Sequence, residues 1–242
     1  MVLKKAKVPK KTGRKKVNKE RDEARETERR EKAQADWIPK TELGKKVQAE
    51  EIATFEEAVK SGLPLLEPQI IDKLFPQLRE KLVDFEKTTR VTRQGRSFSF
   101  RASVVVGDNN GHIGIGVAKD RERFPAIRKA TDAAKLRILP VKRGCGSWEC
   151  MCRTSHSVPF KVRGKCASVS IELLPAPKGV GLVVGHHIRE VVQMAGVTDV
   201  WSRSSGSTGT KLNFVRAVID ALHNTYNVKM SDDMKEKMGK EQ

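Results

Sequence analysis

Phe98, Phe100, Ala102 and Val104 alternate with Ser97, Ser99, Arg101 and Ser103, and that period of two commits the segment to a half-buried β-strand. Asp108-Asn-Asn-Gly111 then turns the chain. In the return strand Ile113, Ile115 and Val117 share one face, while His112, Gly114 and Gly116 share the other. That second face is almost bare of side chains, so either a phosphate backbone or a packed helix can approach it closely. Pro125 suits the first turn of a following helix, in which Ile127, Ala130, Ala134, Leu136 and Ile138 form an apolar stripe. Arg128, Lys129, Lys135 and Arg137 carry its charge. Three strands and a helix make a small α+β domain, with basic residues at its edges, that reads as a surface for RNA.

The charge is localised in a way that supports this reading. The chain has 242 residues with 48 Lys+Arg against 30 Asp+Glu, a formal net charge of +18, which favours polyanionic partners. Residues 1–34 hold 14 basic and 6 acidic residues, and residues 87–178 hold 19 and 6. Between them, residues 37–86 are net acidic, with 7 basic and 10 acidic residues. An aromatic content of 5% argues against binding dominated by base stacking. No apolar run approaches the length that spans a bilayer, and the basic start MVLKKAKVPKKTGRKK lacks the apolar stretch of a secretory signal. The expectation is a cytoplasmic protein with no membrane partner. In that reducing setting Cys145, Cys150, Cys152 and Cys166 point to metal binding ahead of a disulfide framework.

Six segments follow. Residues 1–34 form a basic tail, disordered or ordered by a partner; its stretch from Asn18 to Ala35 has helical charge spacing but almost no apolar face. Residues 35–85 form a helical extension, with helices expected at Glu51 to Ser61 and from Pro68 to about Phe85, more suited to protein than to RNA. The hairpin domain occupies 86–143 and a Cys-rich connector 144–157. A second α+β unit spans 158–228, with strands expected at Val158 to Val162, Ala167 to Leu174 and Thr198 to Ser202. Helices are expected there at Ile188 to Ala195 and Thr210 to Asn224. A polar tail, 229–242, ends the chain.

Several motifs carry competing chemistry. Gly179-Val-Gly181-Leu-Val-Val-Gly185 has glycines whose amides could hold a phosphate. Pro175 and Pro177 interrupt the strand before it, however, and no series of alternating strands and helices surrounds it, so a tight glycine loop outranks a nucleotide site. Gly164-Lys165-Cys166 lacks the Ser or Thr of a phosphate loop. Cys145, Cys150, Cys152 and His156 follow a C-x4-C-x-C-x3-H pattern that could bind zinc tetrahedrally and pin a connector without a core. The alternative is a set of reduced thiols with His156 touching RNA. Cys166 reads as a core residue of a strand, and a catalytic Cys–His pair finds no orienting acid nearby in the sequence. Arg90, Arg93, Arg96 and Arg101 cluster about a Gln94-Gly95 turn, and Lys161, Arg163 and Lys165 flank Gly164. Both clusters read as RNA contacts, and His112, Lys119, Arg128, Lys142 and Arg143 complete the candidate RNA set.

The collinear motifs VVVGDNNGHIGIGVAK, AIRKA, HSVPFKVRGKC, LLPAPKGVGLVVG, MAGVTDV and NFVRAVIDAL resemble the fifth universal small-subunit ribosomal protein family over about residues 35–228. WIPKTELG and GLPLLEPQIID resemble its archaeal and eukaryotic branch, and RGCGSWEC its archaeal members. The resemblance implies a double-stranded-RNA-binding-like domain followed by a small α/β domain with a left-handed βαβ crossover. It implies binding to small-subunit ribosomal RNA near the decoding region and the channel through which messenger RNA enters, with a part in translational accuracy. The implied neighbours are the fourth and eighth universal small-subunit proteins and nearby messenger RNA; no enzymatic activity and no small-molecule substrate are implied. In this family the loop matching Thr92 to Ser97 reaches into RNA, and the face around Gly181, Gly185 and Arg189 meets the fourth protein. His186-His187 departs from the small or acidic residues found there in many members. The readings outside this family are an extra-ribosomal assembly factor or RNA chaperone, and a nucleotide-dependent oxidoreductase.

Overall fold

A computed structural model describes residues 37–150, 152 and 154–228. The basic tail, with its expected helix to Ala35, and the polar tail 229–242 lie outside the described residues. Two compact units divide at Leu74. Within the first, Glu67 organises the start of the chain: its carboxylate accepts from the Trp37 indole at 2.8 Å and from the Lys40 and Thr41 amides at 2.9 and 2.7 Å. Thr41 then caps helix α1 (Glu42–Gln48) by accepting from the Gly44 amide. Helix α2 (Phe55–Lys60) is shorter than the 51–61 expected, because Thr54 and Glu57 form a reciprocal capping box that starts the helix late. Leu43, Val47, Ile52, Ala58 and Ile70 bury against Trp37, Leu63, Leu65 and Leu74.

Helix α3 (Pro68–Leu74) ends some ten residues before the expected Phe85. Pro76 lacks an amide hydrogen and disfavours helical backbone at Phe75, and the chain leaves the turn as strand β1 (Arg79–Thr92). Strand β2 (Gly95–Gly107) pairs with it along its whole length, with a register shift between Leu82 and Asp84. Pairing rather than local pattern makes 79–85 a strand. Strand β3 (His112–Asp120) and the short strand β4 (Ile138–Pro140) complete an antiparallel sheet of order β1-β2-β3-β4.

Helix α4 (Arg123–Lys135) covers the bare face of β3. A Cβ at Gly116 would strike the Ala130 carbonyl and the Ala134 amide, and one at Gly114 the Ala134 carbonyl. Of the two approaches the bare face allowed, the helix is the one realised. Its buried positions are Ala126, Ala130, Thr131, Ala134 and Lys135; Ile127 and Leu136 are half-buried and Ile138 belongs to β4, so the contact stripe is narrower and smaller than expected.

The second sheet, of order β5-β6-β8-β7, repeats the device. Strand β5 (Val162–Cys166) begins where the expected 158–162 strand ends, because Ser157 and Val158 pair with the connector through Gly144 and Gly146 instead. Strands β6 (Val169–Pro175) and β7 (Leu182–Val183), helix α5 (His186–Met194), strand β8 (Val200–Ser205) and helix α6 (Lys211–Tyr226) follow. β7 and β8 are parallel and α5 connects them. α6 lies over β5, where a Cβ at Gly164 would meet the Ala217 carbonyl and the Ala221 amide. Val105 and Ile113 of the first sheet share one core with Ile171, Leu173, Ile188, Val192, Val218 and Leu222. No helix among the described residues is long and apolar enough to cross a membrane.

Candidate RNA interface and metal centre

The β1–β2 ribbon outruns its sheet. β3 pairs with β2 only as far as Phe100, whereas β1 pairs to Gly95, so five rungs from Thr88↔Ser99 to Thr92↔Gly95 have no third strand. At about 3.3 Å per residue the ribbon projects about 16 Å. Residues 87–107 contain Lys87, Arg90, Arg93, Arg96 and Arg101 and no carboxylate. Arg90, Arg93, Gln94, Gly95 and Arg96 are all exposed, while Arg101, nearer the sheet, is half-buried and paired with Glu86. Cross-strand partners share a face. One face therefore carries Arg90, Ser97, Thr88 and Ser99, with the two hydroxyls 2.7 Å apart, and the other carries Val91, Arg96 and Phe98, with Lys87 Nζ 3.8 Å from the Phe98 ring centre.

The other candidate RNA residues divide by environment. Lys119, Arg128 and Lys165 are exposed. Lys161 and Arg163 are exposed too, but both pair with Glu172, at 2.8 and 2.7 Å. Their pull, with Arg203 beside them, holds the Glu172 carboxyl below its ordinary range. His112 is half-buried; its Nδ1 lies 2.7 Å from Asp108 and its ring 4.7 Å from Phe75, so it locks the hairpin turn. Lys142 lies over Tyr226 and donates to its carbonyl. Arg143 donates to the carbonyls of Asn109 and Gly196.

Of the two sequence readings of His156, metal ligand or RNA contact, its environment favours the ligand: it is buried, with 8% exposure. Its ring joins Cys145, Cys150 and Cys152, whose ligand atoms and its own all lie within 4.8 Å of one another. Tetrahedral thiolates at 2.3 Å from zinc stand about 3.8 Å apart, so the four groups nearly have the required spacing. Cys166 lies outside the group, half-buried at the end of β5 near Asn213.

The thiols are electrostatically unequal. Burial first, then the neighbouring Cys152 and Cys150 thiols, push Cys145 up to about 12. At Cys152 burial works the same way but loses to hydrogen bonds from Thr154, 3.1 Å away, which bring the thiol down to about 6. Three thiolates with one imidazole are a donor set suited to zinc, whose binding displaces the protons still held by the thiols.

The sequence offered no acid to orient His156, and the fold brings one from 43 residues away. His156 Nδ1 lies 2.8 Å from Asp199 Oδ2, which leaves Nε2 facing Cys150 Sγ at 3.8 Å. Asp199 is itself buried. It also accepts from the Thr198 hydroxyl at 3.1 Å and, on Oδ1, from the Gly179 and Gly181 amides at 3.1 and 2.8 Å. Burial opposes its charge, but these donors hold its carboxyl below the ordinary range. The glycine amides that might have bound a phosphate thus bind this chain's own carboxylate. Gly181 leaves open space around a hypothetical Cβ, and its φ of +75° is what calls for glycine. Gly185 caps α5, and Arg189 is exposed on that helix.

Comparison with known proteins covers both sheets. The family model "Ribosomal protein S5, N-terminal domain" matches residues 78–142, and "Ribosomal protein S5, C-terminal domain" matches residues 164–237. A "Small ribosomal subunit protein uS5" from Methanothrix thermoacetophila is 50% identical over 194 residues, 80% of this chain and 96% of the relative. Those of Methanocaldococcus jannaschii and Methanobrevibacter smithii are each 47% identical over 204 residues, 84% of this chain and 94% and 96% of the relatives.

Proposed function

The chain belongs to the ribosomal protein S5 family, and from that membership we propose that it builds the small ribosomal subunit by clamping ribosomal RNA near the decoding region. It is a structural, non-enzymatic component of the cytoplasmic ribosome. The observation that carries the RNA reading is the projecting ribbon, which extends Arg90, Arg93 and Arg96 and no carboxylate past the edge of its sheet. Phosphate contact by such a ribbon is electrostatic and releases counterions. Lys119, Arg128 and Lys165 extend the basic surface, while His112, Lys142 and Arg143 support it from within. The channel through which messenger RNA enters, the fourth and eighth universal small-subunit proteins as neighbours, and a contribution to accuracy through Gly181, Gly185 and Arg189 belong to the same proposal.

A structural zinc ion completes it, held by Cys145, Cys150, Cys152 and His156 with no open position for water. Its role is to hold the connector in one conformation.

The test uses the full chain and its ribosomal RNA. Tagged protein should sediment with small subunits through a high-salt wash, and protein found only in lighter fractions would favour an extra-ribosomal assembly role. Replacing Arg93 and Arg96 together with alanine should lower the slope of log affinity against log salt by about one to two. An unchanged slope and affinity would remove the ribbon from the RNA contact.

A further inference from the structure

We propose that the Gly179–Gly181 turn is the outer shell of the metal centre, so that zinc binding to the connector sets the loop that launches α5. The inference rests on the zinc reading above. It starts from Asp199, which joins two parts of the chain that are remote in sequence. One carboxylate oxygen takes the Nδ1 side of His156 at 2.8 Å; the other takes the amides of Gly179 and Gly181 at 3.1 and 2.8 Å. The backbone reinforces the junction. The His156 carbonyl accepts from the Thr198 and Asp199 amides at 2.9 and 3.1 Å, and the Val200 amide donates to the Gly181 carbonyl at 3.2 Å.

The proton inventory makes the junction directional. Ionised Asp199 can only accept, so it requires hydrogen on His156 Nδ1 and leaves the Nε2 lone pair free for a metal. When zinc binds, up to three thiol protons leave to solvent as three Zn–S bonds form, and Nε2 supplies the fourth bond. The ring is then held at both nitrogens, and Asp199 is held with it. Gly179 and Gly181, at φ +97° and +75°, turn their amides toward one point, and that point is the fixed Oδ1. Without the ion the thiols are no longer tied to one another and the ring is held at Nδ1 alone, so the carboxylate is aimed by a less constrained partner. Gly185 caps α5 four residues beyond Gly181, so the loop sets the direction of the helix that exposes Arg189.

Asp199 is thus a positioning residue for the metal, and the loop is its dependant. Asparagine at 199 has nearly the same shape but the wrong hydrogens. To satisfy both glycine amides with its oxygen it must offer its NH2 to Nδ1, which forces hydrogen onto Nε2 and disables the ligand.

The experiment uses the purified full chain with cobalt(II) as a spectroscopic stand-in for zinc and amide hydrogen exchange as the second readout. Wild type should show the absorption of tetrahedral, thiolate-rich cobalt. Chelating the metal should speed exchange at Gly179 and Gly181 at least tenfold while β1–β3 amides hold steady. Asp199→Asn should weaken metal binding about 10- to 100-fold and abolish the metal dependence of loop exchange. Cys145→Ser, which does not touch Asp199, should leave the loop fast-exchanging even with zinc present. A tetrahedral cobalt spectrum with exchange at 179–181 indifferent to metal would overturn the coupling and leave the metal site standing. Absence of that spectrum would overturn the site itself, and the coupling with it.

Discussion

At the residue scale, burial decides between chemistries that look alike on paper. A histidine between basic motifs of an RNA-binding chain suits a phosphate, yet His156 is enclosed by three thiols and a carboxylate. If the cluster holds zinc, purified ribosomal particles should contain about one zinc attributable to this chain. Cys150→Ser and Cys152→Ser should each lower it by elemental analysis, and undiminished zinc would return the cluster to reduced thiols. Glu67 tests a second carboxylate, this one half-buried. Burial raises its pKa, but the Thr41 and Lys40 amides and the Trp37 indole outweigh that and hold it below the ordinary range. A depressed folded-state value means a stabilisation that is full above the ordinary glutamate pKa and lost as pH falls through the folded value. Acidification should therefore loosen the Trp37 indole hydrogen bond before the two sheets are affected, as seen in the indole N–H resonance. In Glu67→Gln that resonance should no longer respond to pH in this range.

At the element scale, the two sheets use one packing solution: a glycine in the strand lets an alanine-lined helix sit against the backbone. The glycines of β3 were legible as a bare face, but nothing local distinguished a helix from a phosphate as what covers it. Gly164→Ala places a methyl group against the backbone of α6 and should destabilise the folded chain by about 1–3 kcal/mol or more, read from the denaturant midpoint. Gly179→Ala offers a contrast, because no atom lies within 4 Å of its added Cβ; its penalty comes from backbone conformation alone. The element misread from sequence was β1. Residues 79–85 lack a clean alternation, carry a register shift, and become strand because β2 supplies a partner along the full length.

At the scale of the whole molecule, Val105 and Ile113 of the first sheet and Leu173 and Val218 of the second half belong to a single core, so the ribbon and the α5 surface are mounted on one body. If contact around Arg189 helps set the balance between open and closed small subunits, Arg189→Leu should change decoding error in a near-cognate reporter while assembly stays close to normal. A shift of about 1.4 kcal/mol changes the closed-to-open ratio tenfold. Unchanged error in fully assembled mutant ribosomes would leave this surface with a scaffold role.

Much of the protein follows from local order along the chain. Alternation defined β2, the glycine-framed turn led into β3, clustered charge marked the ribbon, and long collinear motifs carried the family. These signals survive in one dimension because each depends on neighbours a few residues apart. The tertiary structure alone decided which surface meets which. Asp199 looks like any acid before an apolar strand until folding brings it across 43 residues to His156 and across about 20 to the glycine amides. Its role depends on the direction of lone pairs and hydrogens at a buried junction, and sequence spacing holds no record of direction through space.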